Sequence, residues 1–320
     1  MVQAMLAERP ALDAKKFQNP EITAKGEARA TVALAGLDAL WINTGSLCNI
    51  ECAGCYIESG PKNDRLAYIT RDEVSVFLDE IARDGLGTRE IGFTGGEPFM
   101  NRDLPAMAGD ALARDFRVLI LTNAMAPLWQ KREDVADLAQ RHGKALALRV
   151  SIDHFTPAGH EAVRGANSWA PMMRGLKWLA DLGVTLSVAA RQPVGETEEE
   201  TRAGFAHLFT AEGIALDARS PRDLVVFPDM DAASDVPEIT TACWGILGVD
   251  PASMMCATAR MVVKRKGAGA PVVLPCTLLP YDAQFEMGLT LADAGGPVHL
   301  NHPHCATFCV LGGANCSGGD

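Results

Sequence analysis

No run of about 18 apolar residues occurs anywhere in the 320-residue chain, so no segment reads as a membrane-spanning helix. A targeting signal is missing too. Met1 to Gln18 breaks its short apolar pieces with Glu8, Asp13, Lys15 and Lys16, and no signal-peptide h-region forms. The expectation is a cytoplasmic protein with no membrane partner. Positive charge is also scarce. The formal net charge is −11, and the one compact basic cluster, Lys264-Arg265-Lys266, reads as an exposed turn. Binding to phosphates needs a basic stripe, which excludes a nucleic-acid partner.

Cysteine, by contrast, is plentiful. There are nine: Cys48, Cys52, Cys55, Cys243, Cys256, Cys276, Cys305, Cys309 and Cys316. Disulfides are unexpected in a reducing compartment, and the odd count leaves at least one unpaired. Clustered cysteines in such a protein point to metal binding or redox work.

A hydrophobic fraction of 48% over this length fits one sizeable domain with a small appendage. Residues 1–37 show no strong period and read as an N-terminal extension. From 38 to 238 short apolar runs alternate with amphipathic stretches. The strand candidates are Leu37–Asn43, Arg89–Phe93, Phe116–Leu121, Leu146–Ile152, Val184–Ala190 and Asp223–Phe227, each mostly apolar, as parallel strands buried on both faces are. Helices fall between them. Thr70 with Glu73, and Thr197 with Glu200, form capping boxes; Leu104–Ala113, Glu133–His142 and the stretch after Ser168 supply three more. Six strands and five helices in alternation make an α/β fold with a parallel sheet, curled by right-handed crossovers into a barrel or partial barrel. Functional loops then belong at the C-terminal strand ends. From 239 to 320 helix signals fade and Cys, Gly and Pro rise. Arg260–Lys264 and Pro271–Leu274 flank Gly267-Ala268-Gly269 and read as a β-hairpin. Gly295–Asp320 reads as a loop held together by metal.

Cys48-x3-Cys52-x2-Cys55 follows the first strand. Thiolates are preferred iron–sulfur ligands. Three of them on a four-iron cubane leave one iron without a protein ligand, and an open coordination position marks a catalytic metal site. The same three cysteines also suit zinc. The spacing, followed directly by the aromatic Tyr56, resembles the signature of the radical S-adenosylmethionine (SAM) superfamily. The resemblance implies a partial (β/α)6 barrel, a [4Fe–4S] cluster whose open iron is chelated by SAM, and cleavage of SAM to a 5′-deoxyadenosyl radical that abstracts hydrogen from a substrate.

Further motifs stand at the strand ends. Gly95-Gly96-Glu97-Pro98 resembles the family motif that holds the SAM amino group; alone, it would pass for a strand-to-helix turn. Thr122-Asn123 is followed by Ala124 where the family often has glycine, and Asn123 suits a ribose or a backbone group. Ser151-Ile152-Asp153 is similar to a stretch of the subgroup that modifies peptides and small molecules, which places Ser151 toward SAM and Asp153 toward substrate. Arg164 and Arg191 match positions that contact SAM; as isolated residues these four read equally well as caps or salt-bridging groups.

The C-terminal cysteines resemble a SPASM or shorter twitch extension, which implies an auxiliary [4Fe–4S] cluster. The full SPASM run is absent, so one cluster is expected, on Cys256 and Cys276 with two of Cys305, Cys309 and Cys316, and Cys243 in reserve. Structural zinc on the same thiols is the alternative. His299, His302 and His304, beside Cys305, suit loop or supporting roles. The expected protein is therefore a radical SAM enzyme acting on a peptide or small molecule with a reductant such as flavodoxin or ferredoxin. A non-catalytic iron–sulfur carrier or zinc protein is the alternative, against which Gly95–Pro98 speaks, since an electron carrier needs no ammonium-binding strand end.

Overall fold

A computed structural model describes residues 10–193, 195–228 and 233–313. The chain enters through β1 (Thr31–Val32) and β2 (Ala39–Asn43), followed by α1 (Arg71–Asp84) and β3 (Glu90–Thr94). The alternation continues with α2 (Leu104–Leu112), β4 (Arg117–Thr122), α3 (Ala126–Gln130), α4 (Arg132–His142) and β5 (Leu146–Ser151). Then come α5 (Pro157–Arg164), α6 (Trp169–Asp181), β6 (Thr185–Arg191), α7 (Glu198–Glu212) and β7 (Leu224–Phe227). The C-terminal segment adds α8 (Cys243–Leu247), β8 (Ala259–Val263), β9 (Val272–Leu274), β10 (Val298–His299) and a π-helical turn at Cys305–Val310.

Strands β2 to β7 pair in parallel in chain order, and β7 does not close onto β2 among the described residues. This is the expected α/β fold, a partial barrel rather than a closed one. The strands form because every residue of β2, Ala-Leu-Trp-Ile-Asn, is buried, as a central parallel strand requires. The helices form where their ends are chemically specified. Both capping boxes are present, Thr70 with Glu73 at α1 and Thr197 with Glu200 at α7, and Gly85 and Gly213 end those helices in the left-handed conformation. The main core lies between sheet and helices, with Leu40, Ile42, Phe93, Ile120, Leu148 and Val188 facing Phe77, Leu78, Leu138, Leu176 and Phe205.

The sequence-based hairpin exists, but it does not stand apart. Strand β8 pairs in parallel with β2 and β9 pairs antiparallel with β8, so the hairpin extends the barrel sheet. The N-terminal segment does not stand apart either. β1 pairs antiparallel with β10, and Arg29 bonds Glu238 at 2.5 Å with both side chains buried. Ala30 and Val32 share an apolar cluster with Ile239, Met254, Val298 and Leu300. The stretch after Gly295 differs from a loop, because Ala306, Phe308 and Val310 bury one face of the turn that carries Cys305 and Cys309. Lys264, Arg265 and Lys266 are each tied to a carboxylate, of Glu73, Glu286 and Asp64 respectively. That neutralises the only basic cluster. Among the described residues no helix is long and apolar enough to cross a membrane.

Candidate functional site

The loop after β2 carries Cys48, Cys52 and Cys55 and is bolted to the end of β3. The Thr44 N–H and hydroxyl donate to the Thr94 carbonyl at 2.8 and 2.9 Å; the Gly96 N–H donates to the Gly45 carbonyl at 2.8 Å and the Glu97 N–H to that of Leu47 at 3.1 Å. This approach explains the paired glycines. Gly95 has φ +134°, and a Cβ on Gly96 would lie 2.1 Å from the Leu47 carbonyl oxygen. The far side of the loop is held by Ala53, whose N–H donates to the Val163 carbonyl at 2.8 Å and whose carbonyl accepts from Arg191 at 3.1 Å. Tyr281, from the C-terminal segment, donates to the Ile57 carbonyl at 2.8 Å.

The three cysteines, Tyr56, Gly95, Gly96, Pro98, Asn123, Ser151, Arg164 and Arg191 line one cavity at the C-terminal strand ends. A second cavity adjoins it and shares Tyr56, Ser151, Arg164 and Arg191, adding Asp153, Phe227 and Pro228. Phe227 and Pro228, at the end of β7, were not singled out by sequence reasoning; their position after a strand was the available signal. Burial pushes the Cys48 thiol up to about 12 and the Cys52 thiol upward, the latter opposed by the Arg164 guanidinium. Both are therefore neutral until a metal displaces their protons.

Glu97 is placed differently from its motif neighbours. Its carboxylate, 1% exposed, is turned into the wall behind the cavity, where it accepts from the Phe99 N–H at 3.2 Å, the Thr122 hydroxyl at 2.9 Å and the Asn123 N–H at 2.8 Å. It joins the end of β3 to the end of β4. Asn123 reaches the other way, donating to the Asn49 side chain at 2.8 Å and lying 3.9 Å from the Cys48 sulfur. Ala124, at the family's glycine position, takes φ +57°, a conformation costly for a residue with a Cβ. Burial raises the Glu97 carboxyl from 4.5 to about 7 against those hydrogen bonds. The folded value lies above the unfolded one. This group's contribution to stability is therefore complete below the unfolded value and is lost as pH rises through about 7. In metal-free protein, urea midpoints measured across that window should fall for the wild type and fall less for Glu97→Gln.

Asp153, buried, is clamped by two guanidinium groups, Arg164 at 2.7 Å and Arg191 at 3.4 Å. The three sequence candidates are one ionic cluster between the cysteine loop and the second cavity. Removing the carboxylate leaves the buried Arg164 unpaired, so Asp153→Ala should cost about 3 kcal/mol of unfolding free energy by urea titration.

In the C-terminal segment, Cys256 and Cys276 are buried and Cys305 and Cys309 pack against the apolar clusters holding each of them. Cys256 lies close enough to Cys305 to interact electrostatically, and burial pushes these thiols to about 11 and about 12. Cys243, on α8, packs in the Cys256 cluster and accepts from the Thr240 N–H at 3.3 Å. Cys316 lies outside the described residues. His299 and Asn301 line a separate cavity with Phe285 and Met287, away from the strand ends. No three His, Cys, Asp or Glu side chains among the described residues converge on the position of a single ion.

Parallel strands with a thiol-rich loop after the first of them and a glycine pair after the second define a class of barrel that holds its chemistry at the strand ends. The Radical SAM superfamily model matches residues 42–203, just over half of the chain. The chain belongs to the radical SAM superfamily, whose cofactors are a [4Fe–4S] cluster and SAM. It is similar to the antilisterial bacteriocin subtilosin biosynthesis protein AlbA of Bacillus subtilis (strain 168), 27% identical over 143 residues, 44% of this chain and 30% of that one. It is also similar to GTP 3′,8-cyclase of Tolumonas auensis, 29% identical over 140 residues, 43% of this chain and 39% of that one. The matches thus span about a third of these relatives' length. Among solved structures, Streptococcus suis SuiB bound to S-adenosylmethionine superposes with a TM-score of 0.58 at 12% identity, covering 79% of this chain and 63% of that one. Native anSMEcpe with bound AdoMet gives 0.55 at 13%, covering 80% and 79%. At such identities the likeness is one of fold.

Proposed function

We propose that this chain is a radical SAM enzyme that binds a [4Fe–4S] cluster on Cys48, Cys52 and Cys55 and SAM in the adjoining cavity, and acts on a peptide or a small molecule. The observation that carries the reading is the lining of one cavity by all three thiols together with Gly95, Gly96, Asn123, Ser151 and Arg164. The donor set fits the cofactor: three soft ligands and no fourth that closes the site. When bound, the cluster and SAM supply reductive cleavage of the sulfonium and hydrogen abstraction by the resulting carbon radical. The chain's own residues bind, orient and exclude. Gly95 and Gly96 present backbone to the cofactor, Asn123 and Ser151 offer neutral polar groups, and Arg164 and Arg191 offer cationic ones for a carboxylate. Asp153 holds both arginines in place, and Tyr56 and Phe227 keep water from the reacting carbon.

SuiB, bound in one structure to the precursor peptide SuiA, and the bacteriocin protein AlbA support a peptide substrate; the cyclase supports a small one. A second [4Fe–4S] cluster on Cys256, Cys276, Cys305 and Cys309 completes the reading, with Cys243 and Cys316 as further donors nearby in sequence. A one-electron reductant such as flavodoxin or ferredoxin is the partner this chemistry needs. The test is electron paramagnetic resonance of the reduced, reconstituted protein. Adding SAM should change the signal of the Cys48–Cys55 cluster, and an unchanged signal would mean that SAM does not reach the open iron.

A further inference from the structure

Arg260, on β8, is 1% exposed, and every hydrogen bond it makes among the described residues goes to a main-chain carbonyl. Its partners are Cys256 at 2.6 Å, Ala259 at 2.8 Å, Ala294 at 2.8 Å and Gly296 at 3.3 Å. The buried Arg29 and Arg164 are paired differently, with the carboxylates of Glu238 and Asp153. Placing a guanidinium out of water without a counter-ion is costly, and carbonyl dipoles offset only part of that cost. The groups whose negative charge would act on Arg260 are the thiols of Cys256 and Cys276. Both are neutral in the metal-free fold, since burial disfavours their ionisation. Metal binding reverses this, because ligating thiols give up their protons.

We propose that Arg260 is the built-in counter-charge of an iron–sulfur centre on Cys256 and Cys276, and that it also positions the first of these ligands through the Cys256 carbonyl. The inference rests on the second-cluster reading above. A cubane held by four thiolates is anionic and gains one more negative charge on reduction. A fixed cation beside it stabilises both states and the reduced one more, which raises the reduction potential. The role is one of positioning and tuning, not of contact with substrate.

The experiment uses full-length Cys48/Cys52/Cys55→Ala protein, so that only the C-terminal site is read, reconstituted with iron and sulfide. Arg260→Lys keeps the charge and loses the fork; Arg260→Gln loses the charge and keeps donors for the carbonyls. In a redox titration followed by electron paramagnetic resonance, the Lys variant should titrate with the parent and the Gln variant at more negative potential. Arg260→Gln should also lower the melting temperature of the loaded protein more than that of the metal-free protein. Potentials unmoved in Arg260→Gln, or equal losses of melting temperature in the two forms, would make Arg260 a clamp for residues 294–296 and overturn the proposal. If Gln does not fold, a Lys variant that loses its iron overturns it too, because the charge alone is then insufficient. A parent protein that takes up no iron rejects the second-cluster reading itself, and the proposal with it.

Discussion

Gly96→Ala should strip the iron from the strand-end site while leaving the barrel folded. The added Cβ would meet the Leu47 carbonyl oxygen at 2.1 Å, its carbon at 2.5 Å and the Ser46 oxygen at 2.8 Å. All three are backbone atoms, so no side-chain rotation relieves the clash, and the cysteine loop itself must move. Overpacking of this kind costs about 1–3 kcal/mol. It also breaks the Gly96–Gly45 and Glu97–Leu47 hydrogen bonds that fix the loop before Cys48. Reconstituted Gly96→Ala should therefore hold about half the iron of the wild type and produce no 5′-deoxyadenosine. Gly109→Ala is the control. A Cβ there meets its nearest neighbour, the Leu138 side chain, at 3.5 Å, inside α2, so it should stabilise by about 0.5–1 kcal/mol. Full iron content in Gly96→Ala would show that the glycine pair does not set the cysteine loop.

The second large effect separates the two cysteine groups. Wild-type protein reconstituted without oxygen should bind about eight irons and eight sulfides, and the Cys48/Cys52/Cys55→Ala variant about four of each, since one cubane needs four thiolates or three and an external ligand. The Cys256/Cys276→Ala variant should show the complementary loss. It should also expose the segment after Ile239 to protease, because buried Cys256 and Cys276 sit in two apolar clusters that meet at the Cys305–Val310 turn. Zinc without iron in the triple variant would make the C-terminal site structural. The absence of both metals would leave the protein with a single site.

The barrel was readable because its strands announce themselves. Ala39–Asn43 and its five neighbours are short apolar runs with both faces covered, and Thr70 and Thr197 mark their helices chemically. Helix α5 was not, because its eight residues bury only His160 and carry no stripe for a helical period to reveal. The pairing of β1 with β10 was equally hidden. Two residues from each end of the chain meet across a long sequence separation, and no local pattern encodes that. The hairpin was legible from its glycine turn, whereas its attachment to β2 depends on which sheet edge is free.

The site divides along the same line. Residue types and spacing pointed to Cys48, Cys52, Cys55 and Gly95–Pro98, and the fold lines one cavity with them. Spacing could not say that Glu97 turns into the wall to join two strand ends, that Asp153 is shared by Arg164 and Arg191, or that Arg260 is buried among carbonyls. Those are three-dimensional facts about where charge finds a partner.

The most direct measurement is product formation under anaerobic conditions. Reconstituted protein, reduced with a chemical one-electron donor and given SAM, should release 5′-deoxyadenosine and methionine, and each of Cys48→Ala, Cys52→Ala and Cys55→Ala should release neither above the protein-free background. Cleavage by any of the three variants at the wild-type rate, or none by a wild-type protein with its clusters intact, would contradict the account.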